Sequence, residues 1–266
     1  MTWDHIFALE PLSMLHVLAY MERWRPGSTA SFRPAATEQI AALASFYGGA
    51  DMLPPLYLEF LQVMGEERGE LDLWWNSTAI SDLLEELEAG ERQRADPSRY
   101  LKIALGSDDY NGRHPDDFLD LQHPTPDGRD AAFMRAHERY LVRDSKTFER
   151  PFATFSDLLR SATVARWGFC IDTEEYPAYF SFGDAADSIR RLYAFLVDRL
   201  GFESTELGAS SSMIPLEHHE RGAIALVLGP SGTIPTTGLK IRARDPSQHR
   251  LLEELLADYK QQIIEP

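Results

Sequence analysis

The clearest helix signal in the chain is the stretch Leu53-Pro54-Pro55-Leu56-Tyr57-Leu58-Glu59-Phe60-Leu61-Gln62-Val63-Met64-Gly65. Proline presets the backbone φ angle of a first helical turn, so Pro54-Pro55 favours a helix start. Tyr57, Phe60 and Leu61 recur at helical spacing before Gly65, which favours a helix end. The stretch therefore predicts a short helix whose apolar face belongs to a core.

Helical patterns continue on both sides of this stretch. Pro11 opens a predicted helix that ends before Pro26-Gly27, and a polar linker follows over 27–36. A second helix, with Ile40 and Leu43 on its apolar face, ends at Gly48-Gly49. Downstream, the pattern predicts a half-buried strand over 71–75 and then a helix over 80–87.

From residue 100 the pattern changes to short strands that are separated by turn residues, which predicts an antiparallel meander. The predicted strands are Tyr100 to Leu105, Phe118 to Leu121, Ala131 to Met134 and Tyr140 to Val142. A helix closes the meander, because Thr154 and Asp157 have the spacing of a capping box ahead of an apolar face.

The C-terminal part again mixes strands and helices. The patterns predict strands over 178–182, 223–228 and 239–243, a helix opened by Asp184, and a last helix that begins at Asp245-Pro246. The fold class is therefore α+β. We expect an N-terminal helix and linker over 1–36, a domain over 37–170, and a smaller α+β unit over 171–266, either as a separate domain or as an extension.

The order of elements from Thr37 to about Arg166, together with the two motifs Leu53 to Leu61 and Phe152 to Leu159, resembles that of the SUKH superfamily, whose founders include the yeast Smi/Knr regulator of cell-wall synthesis. The resemblance covers roughly half of the chain. It departs from the family at Met64-Gly65-Glu66, where members carry a small polar or Asn-Gly pair. The resemblance implies an antiparallel or mixed sheet flanked by helices. It also implies a non-enzymatic role, since bacterial members look like immunity proteins that bind and neutralise toxins, often nucleases.

The charge of the chain is strongly acidic. Asp and Glu number 42 against 26 Lys and Arg, which gives a formal net charge of −16. Such a field repels nucleic acid and anionic membranes and attracts basic partners, although acidity also serves solubility alone. Residues 66–120 contain 15 acidic and 6 basic residues and so carry more than half of that charge. We expect a basic protein partner to bind there.

The cellular location of the protein is predicted from its number of cysteines and from the lengths of its apolar runs. Cys170 is the single cysteine, which excludes an intramolecular disulfide and a cysteine-based zinc site. The N-terminus has no basic segment followed by an apolar one, and no run approaches ~18 apolar residues. We expect a cytoplasmic protein without a membrane span.

The candidate partner-binding residues lie in two segments of the acidic region. In a strand, the Trp74-Trp75 pair would point one ring to each side, so one ring could anchor a partner. The polar cluster from Asp108 to Asp117 is rich in turn formers and predicts an exposed binding loop. The candidates are Trp74, Trp75, Asp108, Asp109, Tyr110, His114, Asp116 and Asp117. On the helix over 80–87, by contrast, Glu85, Glu86 and Glu88 favour a solvated face.

Motifs for catalysis and cofactors are weak. The Asp108 to Asp117 cluster could hold a divalent ion, but its spacing matches no EF-hand loop. His218-His219 lacks a third ligand at helical spacing, and the glycines over 229–232 lack the Lys-Ser/Thr of a P-loop. No nucleophile-elbow G-x-S-x-G is present.

We therefore expect no catalytic residues, no cofactor and no metal. The leading hypothesis is an immunity protein that neutralises a basic toxin domain, as in a toxin–antitoxin pair. The alternatives are a scaffold or regulatory module and a metal-dependent hydrolase. Neighbouring genes would separate the first two.

Overall fold

The stretch at 53–65 forms helix α3, which spans Pro55–Met64 in a computed structural model of the chain. The structure describes residues 10–73, 76–89, 95–109, 112–142, 148–169, 178–181, 186–210, 213–218, 223–228, 238–243 and 246–264. Pro55 is the first residue of the helix, and Tyr57, Phe60 and Leu61 are buried. The predicted start, end and core face of this helix are confirmed.

The chain divides into two compact units. The first unit is Pro11–Ala162, and the second unit combines Met1–Glu10 with Thr163–Pro266. The division differs from the expected boundaries, because the N-terminal helix belongs to the first unit instead of standing apart over 1–36.

The first unit combines helices with small antiparallel sheets. Its helices are α1 (Met14–Trp24), α2 (Thr37–Phe46), α3 (Pro55–Met64), α4 (Ile80–Glu88), α5 (Glu138–Val142) and α6 (Phe155–Thr163). Its strands are β1 (Tyr100–Ala104), β2 (Asp108–Asp109), β3 (Gly112–Arg113), β4 (Asp116–Pro124) and β5 (Ala131–Ala136). Strands β1, β4 and β5 form one sheet in the order β1-β4-β5, and β2 pairs with β3. The α+β class is confirmed.

The register of the three-stranded sheet determines which residues of β1, β4 and β5 lie side by side on the same face. Leu119 in β4 lies opposite Leu101 in β1 and Phe133 in β5, while the preceding Phe118 lies opposite Lys102 and Met134. Because side chains alternate along a strand, Leu119 and Phe118 lie on opposite faces. Both are buried, so apolar material covers the sheet on its two faces.

An aromatic cluster joins α3 to α6. The ring centroid of Phe155 lies 5.6 Å from that of Tyr57 and 5.4 Å from that of Phe60, both in edge-on geometry. The three side chains are almost fully buried. Each such burial contributes roughly 1.5–3 kcal/mol, so this cluster holds α3 and α6 together.

Two predicted strands of the first unit are not formed in the residues that can be compared. Residues 71–73 of the strand predicted over 71–75 lie outside any strand, although Leu71 and Leu73 alternate with exposed Asp72 as predicted, and the remaining Trp74 and Trp75 lie outside the described residues. Residues that alternate between buried and exposed form a β-strand only where a neighbouring strand supplies backbone hydrogen bonds. Tyr140 to Val142 belongs to helix α5, because the segment folds back over the sheet face that carries Phe118, where Leu141 is buried.

The second unit has its own five-stranded antiparallel sheet, in the order β6-β10-β9-β8-β7. Its elements are β6 (Ala178–Ser181), α7 (Ala186–Ala194), a π-helical turn (Phe195–Arg199), β7 (Glu203–Ser204), β8 (Met213–His218), β9 (Ala223–Leu228), β10 (Gly238–Ala243) and α8 (Pro246–Ile264). The prediction missed β8, which contains Pro215 and lies between β9 and the two-residue strand β7. Across the described ranges, no helix combines the length and the apolar character that crossing a membrane requires.

Candidate partner-binding surface

Five of the eight candidate residues cannot be evaluated from their side chains. Trp74, Trp75 and Tyr110 lie outside the described residues. The backbone of Asp108 and Asp109 forms strand β2, in which Asp108 pairs with Arg113 and Asp109 with Gly112. A partner-binding role for these five residues stays a prediction.

The other candidates, His114, Asp116 and Asp117, lie where the β2–β3 hairpin joins β4. Asp116 and Asp117 begin β4 and are buried, with 4% and 1% of their surface exposed. The expectation that they sit on an exposed loop is therefore wrong. Gly106 explains part of the geometry, because a Cβ atom there would lie 2.0 Å from the carbonyl oxygen of His114. The chain closes tightly at this point and directs the Asp116 carboxylate onto the Gly106 amide, 2.9 Å away.

Asp117 is the acceptor in a buried polar cluster. Its two carboxylate oxygens accept hydrogen bonds from Nε and Nη2 of Arg135, at 2.7 and 3.1 Å, and Asn76 donates a further one at 2.9 Å. Arg68 in turn donates to the carbonyl oxygen of Asn76 at 2.7 Å. Burial raises the pKa of Asp117, whereas the hydrogen bonds and charge of Arg135 act in the opposite direction. The cluster connects β4 and β5 to the segment before α4.

Lys102 forms a second cluster on the opposite face of the sheet. Only 3% of its surface is exposed, and its Nζ lies 2.6 Å from Glu138, 3.4 Å from Asp116 and 4.0 Å from Glu86. The ammonium also lies 5.6 Å from the centre of the Phe118 ring. One buried cation thus connects β1, β4, α4 and α5.

Asp120 completes the row of acidic residues in β4. It is 1% exposed, and its Oδ2 lies 3.3 Å from Nη2 of Arg99 and 2.9 Å from Nδ1 of His123. Buried carboxylates are stable only when a cation or several donors compensate them. Asp116, Asp117 and Asp120 each have a basic partner, so the β4 carboxylates are part of the scaffold.

Three of the four acidic residues on helix α4 differ from those of β4 because they are exposed, whereas the fourth, Glu86, is half-buried beside Lys102 and so does not lie on the solvated face predicted for it. Asp82, Glu85 and Glu88 are exposed, and Glu66 lies beside them through a 2.8 Å hydrogen bond from Ser81. We call these four residues the α4 acidic surface. Asp82 accepts a hydrogen bond from Ser77 at 2.5 Å, but within the described ranges neither Glu85 nor Glu88 has an ion pair.

The basic residues of the two buried clusters were missed by the sequence analysis. Lys102 stands in the otherwise apolar run Tyr100-Leu101-Lys102-Ile103-Ala104, and a lysine inside a predicted buried strand is a signal for a buried ion pair. Arg135 lies directly opposite Asp117, a relation that becomes visible only when the register of β4 and β5 is known.

Metal ligation has no support among the described side chains, where no three His, Cys, Asp or Glu residues come together as a metal-binding group.

Comparisons of the chain with protein-family models, with curated proteins and with solved structures found no match in any of the three.

Proposed function

We propose that the chain is a non-enzymatic, cytoplasmic immunity protein that neutralises a basic toxin domain by direct binding, and that the α4 acidic surface forms part of the contact. Three residues of the α4 acidic surface, Asp82, Glu85 and Glu88, are exposed on one helix, and the half-buried Glu66 lies beside them. Exposed carboxylates of this kind attract and orient a partner with a basic binding groove.

The observation that carries the proposal is the unfavourable placement of charge on α4. Glu85 and Glu88 lie in the last turn, at the negative end of the helix dipole, where a carboxylate is destabilising. Asp82 and Glu85, and likewise Glu85 and Glu88, are three residues apart, so like charges are neighbours on the helix surface. No basic residue is present in that last turn. Charges that weaken the helix are explained by a role outside folding.

The β4 carboxylates are buried and paired with Arg99, Lys102 and Arg135, so they are not available to a partner, whereas Glu85 and Glu88 on α4 are exposed. The resemblance of residues 53–61 and 152–159 to the SUKH superfamily implies an immunity role, and a nuclease toxin must be basic to bind phosphates.

The test is a binding titration against the toxin domain encoded by the neighbouring gene, with cell killing as the second readout. The variant Glu85→Lys/Glu88→Lys reverses two charges of the α4 acidic surface. We expect it to lower the association rate constant by about tenfold or more at low salt and to reduce the salt dependence of binding.

The matched control is Glu254→Lys/Asp258→Lys, which makes the same change in net charge on exposed residues of α8 in the second unit. It should bind like the unmodified chain. Equal binding by both double variants would remove α4 from the contact. A neighbouring toxin that kills equally well with and without this chain would overturn the immunity proposal.

A further inference from the structure

Strand β4 is interrupted by a bulge near its C-terminal end. Asp120 and Pro124 lie opposite consecutive residues of β5, so residues 121–123 are extra residues on the β4 side of the ladder. Bulges re-aim side chains and are over-represented next to active sites. His123 lies in this bulge, and 59% of its side chain is exposed. The bulge thus presents an imidazole at the surface of the first unit.

The imidazole of His123 is held by the buried carboxylate of Asp120. Nδ1 of His123 lies 2.9 Å from Asp120 Oδ2. The backbone N–H of Gln122 donates to Asp120 Oδ1 at 3.2 Å, so the bulge itself fixes the carboxylate. Because a carboxylate accepts hydrogen bonds and cannot donate them, we assign the ring proton to Nδ1. The other ring nitrogen, Nε2, then carries the lone pair and is the nitrogen left to react.

Arg99 brings a permanent cation to the same carboxylate. Its Nη2 lies 3.3 Å from Asp120 Oδ2, the oxygen that also contacts His123, and its Nε lies 3.4 Å from Oδ1. The half-buried guanidinium lies over the Tyr100 ring, 4.7 Å from its centre. Guanidinium groups bind phosphate oxygens, so Arg99 locally counters the repulsion that a chain of net charge −16 exerts on an anion.

We propose that His123 is a phosphoryl-accepting histidine, modified at Nε2 by a donor that carries its phosphoryl group on nitrogen. Asp120 is the positioning residue, because it fixes the ring and its tautomer, and Arg99 supplies the cation for the incoming group. This modification site does not depend on the proposed immunity role.

The reaction joins the lone pair of Nε2 to phosphorus and breaks the nitrogen–phosphorus bond of the donor. With the phosphoramidate monoanion, whose nitrogen is fully protonated, ammonia leaves with the electron pair of that bond. The ring of His123 keeps its Nδ1 proton and becomes positively charged, while the transferred group is a dianion, so the total charge is conserved. The Asp120 carboxylate stabilises the ring charge, as an orienting acid does in a catalytic triad.

His16 provides a comparison within the same chain. It is exposed on α1, and in the described part of the chain its ring takes part in no hydrogen bond or ion pair. A histidine of this kind offers either ring nitrogen to a donor, because neither tautomer is fixed. His123 should instead react through Nε2 alone.

The first experiment incubates the full unmodified chain with potassium phosphoramidate at neutral pH. Mass spectrometry of peptides locates the phosphohistidines, and ³¹P and ¹⁵N NMR distinguish the two ring positions. We expect His123 to react about tenfold or more faster than His16, since a charged ring is stabilised only at His123. We also expect His123 to react at Nε2 and His16 to give both isomers. Equal rates at the two histidines, or reaction of His123 at Nδ1, would overturn the proposal.

The second experiment tests Asp120 with the same donor, and the rate at His16 serves as the reference in every sample. Asp120→Asn keeps an oxygen that can accept from Nδ1 but removes the charge, so His123 should lose most of its advantage over His16. The matched control Asp258→Asn, on an exposed residue of α8, should keep that advantage. An unchanged ratio in Asp120→Asn contradicts the proposed positioning. The first experiment needs no substitution, so it decides the proposal even where Asp120→Asn fails to fold.

Discussion

Strand β4 and helix α4 carry the same kind of residue in opposite situations. In β4, Asp117 is buried and held by two hydrogen bonds from Arg135 and one from Asn76. On α4, Glu85 and Glu88 are exposed, and in the described part of the chain they have no ion pair. Acidic residues of one charged segment thus divide into those that are buried and paired within the fold and those that are exposed to solvent.

The two regions also differ in what a lost charge would cost. A buried carboxylate that loses its cation keeps its desolvation penalty, so removing the cation strongly lowers the stability of the fold. An exposed carboxylate is solvated whether or not a cation is near, so its pairing matters little. Substitutions in the two regions should therefore change the free energy of unfolding by amounts that differ in size and in sign.

The largest effect is expected for Arg135→Met, which leaves Asp117 buried beside Asn76 without a cation. We predict a loss of about 3–5 kcal/mol in the free energy of unfolding of the first unit, measured by urea denaturation.

The double variant Asp117→Leu/Arg135→Met provides the control, because it removes the charge together with its partner. It should recover a large part of the loss, since two apolar residues can replace a buried pair at little cost. A double variant as unstable as Arg135→Met would mean that the pair contributes shape and hydrogen bonding more than charge compensation.

A somewhat smaller loss is expected for Lys102→Met. The substitution removes the cation from between Asp116, Glu138 and Glu86, but the side chains of Glu138 and Glu86 are 18% and 27% exposed and can be partly solvated. We predict about 2–4 kcal/mol of destabilisation, together with faster hydrogen exchange in α5. An effect below about 1 kcal/mol would show that the cluster behaves like a surface pair.

The smallest effect, with the opposite sign, is expected for Glu88→Gln in the last turn of α4. Removing a carboxylate from the negative end of the helix dipole should stabilise α4 by roughly 0.3–0.5 kcal/mol at low salt. Thermal unfolding at low and at high ionic strength would measure the gain, which salt should diminish. A clear loss of stability would indicate that Glu88 has a structural partner and would weaken the proposed function.

Much of the fold could be predicted from local patterns. The helix at α3, its proline start and its buried Tyr57 and Phe60 were correct, because a 3.6-residue apolar period and proline geometry are local properties. The predicted strands at β1, β5 and β9 were also correct, because the turn residues that bound short strands are local signals too. Tyr140 to Val142 was assigned wrongly because a three-residue apolar run has no distinguishable period.

The candidate site was less predictable. The sequence identified an acidic segment, but it placed Asp116 and Asp117 on an exposed loop next to His114, because runs of Asp, Asn and Gly favour turns. Whether an aspartate is buried depends on a cation that another strand supplies, and the Asp117–Arg135 pair is separated by 18 residues in the chain.

By itself, the sequence determined the α+β class, the apolar faces of its helices and the excess of negative charge, since each depends on residue type and spacing along the chain. Which carboxylates are buried and paired became visible only in the tertiary structure. Strand register brought Arg135 and Lys102 to the β4 carboxylates, and register is a long-range property. The same holds for Asp130, which is a turn residue in the sequence and a helix cap only after α6 has packed against it.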